Sequence, residues 1–231
     1  MPAVLILYYT FATMLVQVAE IFKLNFTLEW RRKQSFLGVV LYVLTTVYLA
    51  YLVFSGVITP EVWNALFWVI LIFASIQAAF RSFQNEADRR FLLYFGMVKP
   101  QVLIIGKTLY NFFYMFAIGL LATLIFTFLL GNPIASPGAF LLILLIASAG
   151  FSSILTFVSG LAAKAGDNPA LPAILSIPLL YPQVLTLSKV SIRALTGFAW
   201  DINAPLLLVL LMLSVVTVLL SYLLFAYLWR D

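Results

Sequence analysis

Residues 139–162 read AFLLILLIASAGFSSILTFVSGLA and contain no charged side chain. A helix needs about 20 apolar residues to cross a bilayer, so this stretch is long enough to span a membrane. A membrane-spanning β-strand would alternate apolar and polar residues over a shorter segment, and the run Leu141–Ile146 does not alternate. Because backbone polar groups in lipid must bond within their own segment, the stretch predicts a transmembrane α-helix.

Five other runs have the same character, which gives six predicted spans. Of the 231 residues, 65% are hydrophobic and 9% are charged, whereas a soluble domain carries about 25% charged residues. The composition excludes a water-soluble globular enzyme and predicts an all-α integral membrane protein. The predicted spans are Phe36–Val57, Val62–Phe80, Thr108–Leu130, Ala139–Ala162, Leu171–Leu187 and Pro205–Trp229.

Basic residues are concentrated in alternate connections between these spans. Eleven of the 13 lie on one side, and Lys189 and Arg193 lie on the other. The positive-inside rule then places both termini in the cytoplasm. Nucleic-acid binding is not expected, because the basic residues lie at the ends of apolar segments.

Residues 1–35 are predicted to precede a six-helix membrane domain of residues 36–231. Residues 1–19 are apolar, but they lack the basic start of a signal peptide. We expect an interfacial or loosely attached helix there rather than a seventh span.

Residues 20–33 place Ile21 and Leu28 on one helical face. This pattern favours an amphipathic helix on the cytoplasmic membrane surface. A basic flank that only fixes the orientation of the chain fits the pattern equally well. The basic residues that end the segment are Arg31, Arg32 and Lys33.

The connection Arg81–Lys107 is the longest polar stretch of the chain. Apolar residues recur there at helical spacing, and Glu86 and Arg90 form an i,i+4 pair of favourable orientation. Gly96 and Pro100 break this pattern, and Pro100 can begin a helix that runs into the membrane. A transporter driven by a separate motor protein needs such a cytoplasmic helix to receive force, whereas a solvated loop with ordinary salt bridges is the alternative. The residues expected to contact the motor are Glu86, Asp88, Arg89, Arg90, Phe91 and Tyr94.

The fifth predicted span is interrupted by Pro172, Pro178 and Pro182. An interior proline removes a helix hydrogen bond and produces a kink. A structural kink explains any one of them, but three together favour a helix that moves or lines a path.

Several expected motifs are absent from the sequence. No phosphate-binding loop of the form GxxxxGK[ST] occurs, and neither does any histidine or cysteine. Catalytic triads, thiolate chemistry and Cys/His metal sites are therefore excluded, and no catalytic or metal-binding residue is predicted. None of the predicted spans carries an interior charge, so an ion-coupled carrier lacks its usual residues. The chain is either passive or driven by a partner.

Four segments in order resemble the CcmB family, also called haem exporter protein B. The resemblance covers residues 20–231, and residues 1–19 look like an extension beyond the usual start of the family. The segments are EWRRKQSFLGVVLY at 29–42, SFQNEADRRFLLY at 82–94, GKTLYN at 106–111 and AAKAGDNP at 162–169, which the proline-rich run follows.

This resemblance implies a non-catalytic, six-span subunit of the ABC-2 permease type in the bacterial inner membrane. It would serve c-type cytochrome biogenesis by coupling ATP hydrolysis to haem delivery or to release of the haem chaperone. ATP would bind a separate CcmA-like ATPase, and a second copy of the chain would complete the path. The other partners would be CcmC-like and CcmD-like membrane proteins, a CcmE-like haem chaperone and membrane lipids.

Strong haem ligation by this chain is not expected. Without histidine and cysteine, only methionine and tyrosine remain among the common protein ligands of haem iron. Packing explains the span residues Met115 and Met212 better than ligation does, so haem would be handled by partner proteins. Two alternatives remain open: an ABC permease for a lipid or hydrophobic drug, and a passive membrane assembly factor without an ATPase.

Overall fold

The computed structural model describes residues 2–31, 33–54, 58–84, 100–165, 171–197 and 200–228. Side chains are described within 14–28, 36–54, 58–79, 101–162, 174–197 and 202–223. Over these residues the chain forms seven α-helices and no strand. They are α1 (Pro2–Arg31), α2 (Lys33–Phe54), α3 (Pro60–Gln84), α4 (Pro100–Leu130), α5 (Pro137–Ala165), α6 (Leu171–Thr196) and α7 (Trp200–Leu228).

Five of the described helices are long and apolar enough to cross a membrane. They correspond to five of the six predicted spans, which confirms a helical, multi-pass chain. The fifth predicted span lies in α6, which is not among the five that are found over the described residues. The candidate spans are Phe36–Phe54, Pro60–Ala79, Gln101–Leu130, Pro137–Ala162 and Ile202–Leu223.

The start of the third span and the absence of interior charge were both predicted wrongly. The apolar part of α4 begins at Gln101 rather than at Thr108, so Lys107 lies inside a candidate span. Its side chain is only 1% exposed. The helix itself begins at Pro100, as predicted, because proline is well suited to a first helical position. Aliphatic residues follow Pro100 directly, so the apolar run extends upstream of Thr108.

Helix α5 lies at the centre of the bundle. Helices α3, α4, α6 and α7 all pack against it, and about three-quarters of its apolar window (72%) is buried. At one end an aromatic cluster joins α3, α4 and α5: the Phe67 ring lies 5.3 Å from Phe126 and 5.4 Å from Phe140. Aromatic pairs at these centroid distances stabilise a core beyond the area they bury.

Helix α1 packs mainly against α4. Val18 and Ile21 are buried in this contact, and a Cβ at Gly106 would lie 2.7 Å from the Cγ2 atom of Ile21. The glycine therefore lets the two helices approach closely. Residues 1–19 and 20–33, which were expected to be two segments, are instead joined in one helix from Pro2 to Arg31. The predicted interfacial position of this helix stays a prediction.

Candidate functional site

The prolines predicted to form a path or hinge all belong to α6. Pro172 is its second residue, while Pro178 and Pro182 lie inside the helix with exposed side chains. Because proline has no N–H, the carbonyls of Ile174 and Pro178 receive no backbone donor from four residues ahead. We call Leu171–Pro182 the proline segment.

The other end of α6, Leu187–Thr196, is held to α3 by a buried polar network. Asn64 on α3 donates to the Ser188 carbonyl at 3.1 Å and accepts from the Ser191 hydroxyl at 2.6 Å. The Trp68 indole donates to both, at 3.0 Å to Asn64 Oδ1 and 2.7 Å to Ser191 Oγ. We call Leu187–Thr196 the anchored end.

Three more hydrogen bonds fix the anchored end to neighbouring segments. The backbone N–H groups of Ala135 and Ser136 donate to the carbonyls of Leu195 at 3.3 Å and Ala194 at 2.9 Å. Arg193 donates to Asn203 of α7 at 2.7 Å. The anchored end is thus bonded to α3, to the segment before α5 and to α7.

Gln183 lies between these two parts of α6 and faces α5. Its side chain is 1% exposed, and neither its amide nitrogen nor its amide oxygen has a partner among the described residues. It packs on Gly150, where an added Cβ would overlap the amide group. A buried amide without partners is costly. Gln183 therefore contributes close packing on Gly150, but no hydrogen bond, to the contact between α5 and α6.

Helix α5 bonds more firmly to α4 and α7. Asn111 of α4 donates to Thr156 at 2.8 Å. On the other side, the Ser153 and Thr217 hydroxyls lie 2.9 Å apart, and Ser221 donates to the Ser153 carbonyl at 3.2 Å. These bonds join α4, α5 and α7 through their polar side chains.

The arrangement serves helix packing rather than covalent chemistry. Within the described ranges, no group of three or more acidic residues could hold a metal ion. Most of the polar side chains there are amides and hydroxyls that bond within or between helices, whereas the Gln183 amide has no partner among the described residues. What this geometry offers is one helix, α6, whose anchored end is hydrogen-bonded to three neighbouring segments and whose other part carries two interior prolines.

The remaining predicted site residues lie outside the described residues or at the ends of helices, so their predicted roles stay predictions. The expected motor contacts, Glu86, Asp88, Arg89, Arg90, Phe91 and Tyr94, lie outside the described residues, as does Arg32. Arg31 ends α1 and Lys33 begins α2.

Sequence reasoning missed Asn64, Gln183 and Lys107. Charged side chains are the residues that mark ion relays in membrane spans, whereas two of these three residues are neutral amides. Amides within otherwise apolar runs are the signal that was available, since a polar side chain in a membrane helix usually bonds to a neighbouring helix.

A family model described as CcmB protein matches residues 16–229 of the chain. No curated protein and no solved structure matches it.

Proposed function

The chain belongs to the CcmB family, and from this premise we propose that it passes the work of a separate ATPase to the haem-handling proteins of cytochrome c maturation. The family implies a membrane component of the haem and cytochrome c maturation ABC transporter, generally non-catalytic. The observation that carries the proposal is the family match over residues 16–229. Five helices able to span a membrane support it.

In this proposal the ATPase docks on the connection between α3 and α4. Phe91 and Tyr94 are the apolar anchors, Arg89 and Arg90 are the basic contacts, and Glu86 and Asp88 complete the surface. A few anchoring side chains usually provide most of the energy of an interface. Movement of this connection would act directly on the first residue of α4, Pro100.

The described contacts support a route from α4 inward. Helix α4 is bonded to α5 through Asn111 and Thr156, and α5 is bonded to α7 through Ser153 and Thr217. At the contact of α5 with α6, Gln183 packs on Gly150 and its amide makes no hydrogen bond among the described residues. We propose that displacement of α5 is taken up there, so that the proline segment moves while the anchored end stays in place.

The proposal also includes the arrangement of partners. Two copies of this chain pair with two copies of a CcmA-like ATPase, with CcmC-like and CcmD-like proteins beside them and a CcmE-like chaperone holding the haem. All are placed at the inner membrane, with both termini of this chain, the basic residues Arg31, Arg32 and Lys33, and the ATPase on the cytoplasmic side. In this arrangement α6, which is fifth in chain order among the six predicted spans, also crosses the bilayer.

Haem ligation by this chain has no support in its described methionines. Met115 is buried in the core with 2% exposure, and Met212 is 51% exposed on α7. Neither needs a metal to explain its position, because Met115 packs within the core cluster and an exposed apolar side chain on a membrane helix suits lipid.

Affinity purification of the chain in mild detergent tests the proposal. We expect an ATPase in equal amount, and we expect Phe91→Ala with Arg90→Glu to abolish its retention while the variant still inserts in the membrane. Phe128→Ala with Lys189→Glu is the matched control, because both residues are exposed and are predicted to lie on the opposite side of the membrane from the docking surface. Purification without any ATPase would favour the passive assembly factor. An ATPase without cytochrome maturation proteins would favour a lipid or drug permease.

A further inference from the structure

A groove of about 480 Å³ opens on the side of the bundle between α4 and α7. Its walls are the parts of α4 and α7 at residues 104–112 and 218–222, and Ala149 and Ser152 of α5 form its floor. All three helices are candidate membrane spans. The groove therefore faces the interior of a bilayer, where water is not available to fill it.

Two of the four hydroxyl-bearing residues that line the groove, Ser152 and Ser221, are bonded within the protein. The Ser152 hydroxyl donates to the Ala149 carbonyl at 2.9 Å, and the Ser221 hydroxyl donates to the Thr217 carbonyl at 2.8 Å. The remaining lining is almost wholly aliphatic or aromatic, with Leu109 and Leu219 exposed at the rim. An occupant would meet carbon rather than open hydrogen-bonding groups.

The groove is long enough for part of an extended hydrocarbon chain. Its wall on α4, residues 104–112, extends for about 12 Å. An acyl chain can lie along this wall without leaving a polar atom unpaired, because its hydrocarbon part has none.

Charge indicates the headgroup that such a chain would carry. The groove lies in the half of the bundle where α4 begins and α7 ends. The predicted connections on that side carry ten basic and six acidic residues, a net charge of +4, and Lys107 of α4 adds one more positive charge at this end. Lys99 and Arg230 flank the two wall helices directly. A basic membrane surface attracts anionic lipid headgroups.

We propose that this groove binds one acyl chain of an anionic phospholipid, whose headgroup lies at the basic end of the bundle. The proposal goes beyond the transporter function and does not depend on it.

Native mass spectrometry of the purified complex in nanodiscs tests the proposal, using phosphatidylglycerol and phosphatidylcholine as probes. We expect phosphatidylglycerol to be retained preferentially, and Ala149→Phe, which fills the floor, to reduce its retention at least fivefold. Ala117→Phe is the matched control, because Ala117 is an exposed alanine of α4 outside the groove. Leu109→Trp closes the rim at an exposed position, where it should not disturb folding. It should reduce phosphatidylglycerol retention as Ala149→Phe does, and it serves as the test if Ala149→Phe fails to fold.

Mapping of the bound chain supplies a second measurement. Phosphatidylglycerol with a diazirine on its acyl chain should label residues 104–112 and 218–222 more strongly than the exposed face of α2. Equal labelling of both faces, or equal retention of the two lipids, would overturn the proposal. So would cross-linking between copies through a cysteine at position 109, since a second copy would then cover the groove.

Discussion

The two parts of α6 differ in how they are held. The anchored end makes hydrogen bonds to α3, to the segment before α5 and to α7, and one buried residue, Asn64, takes part in two of them. The proline segment has exposed prolines, and Gln183 follows it directly, buried without a partner among the described residues. Hydrogen bonds to three neighbouring segments thus fix one end of the helix, whereas the Gln183 amide adds none in the middle.

This difference shows that two amides in one bundle can have opposite effects on stability. A paired amide between membrane helices contributes modestly, on average about 0.6 kcal/mol and at most about 1.7 kcal/mol for each bond. An unpaired buried polar group costs about 1–3 kcal/mol. Asn64 is therefore expected to stabilise this state of the bundle, and Gln183 to destabilise it.

The largest effect is expected when the anchored end is released. Asn64→Leu removes the acceptor of Ser191 and the donor to Ser188, so we expect the free energy of unfolding to fall by about 1–2 kcal/mol. Unfolding by sodium dodecyl sulfate in mixed micelles measures it. Thr196→Val is the control, because the Thr196 hydroxyl is exposed and bonds only to its own helix. If both variants unfold alike, the network does not anchor α6.

An effect of opposite sign, no larger than the first, is expected in the proline segment. Pro178→Ala with Pro182→Ala supplies donors for the carbonyls of Ile174 and Pro178, and both side chains are exposed, so no cavity results. We expect a gain of about 1–2 kcal/mol, less than the cost of about 3 kcal/mol for proline in a soluble helix, because neighbouring groups satisfy part of the deficit in membranes.

The same double variant tests the hinge. We expect slower amide exchange at residues 174–182 and reduced c-type cytochrome maturation in cells, although the protein is more stable. Full maturation by a stabilised variant would show that the prolines are structural kinks and not a hinge.

Apolar length was sufficient to predict most of the fold. Five spans of the bundle agree with predicted runs, because a helix of about 20 apolar residues has few alternatives in lipid. Pro100 was predicted as a helix start, but the third span was placed at Thr108 because Lys107 was read as the end of a polar connection. A single lysine does not end a helix when apolar residues continue on both sides of it, and only the packing shows that its side chain is buried.

The candidate site was less predictable than the fold. The sequence showed Pro178 and Pro182, but the relevant contrast depends on which helix faces each side chain. Asn64 and Ser191 are 127 residues apart, and Gly150 meets Gln183 only because α5 and α6 pack together. Tertiary contacts of this kind have no local signature in one sequence.

The smallest effect is expected at Gln183, where the comparison is sharpest. Gln183→Met keeps an unbranched side chain of similar length on Gly150 and removes both unpaired atoms, so we expect the free energy of unfolding to rise by about 1 kcal/mol. Gln183→Asn is the control, since it keeps the amide and should not stabilise the protein. If Gln183 bonds to a hydroxyl of α5 when the proline segment moves, Gln183→Met should also lower cytochrome maturation while it raises stability. A loss of stability in Gln183→Met would mean that the amide is satisfied in the native bundle, and the contrast with Asn64 would then fail.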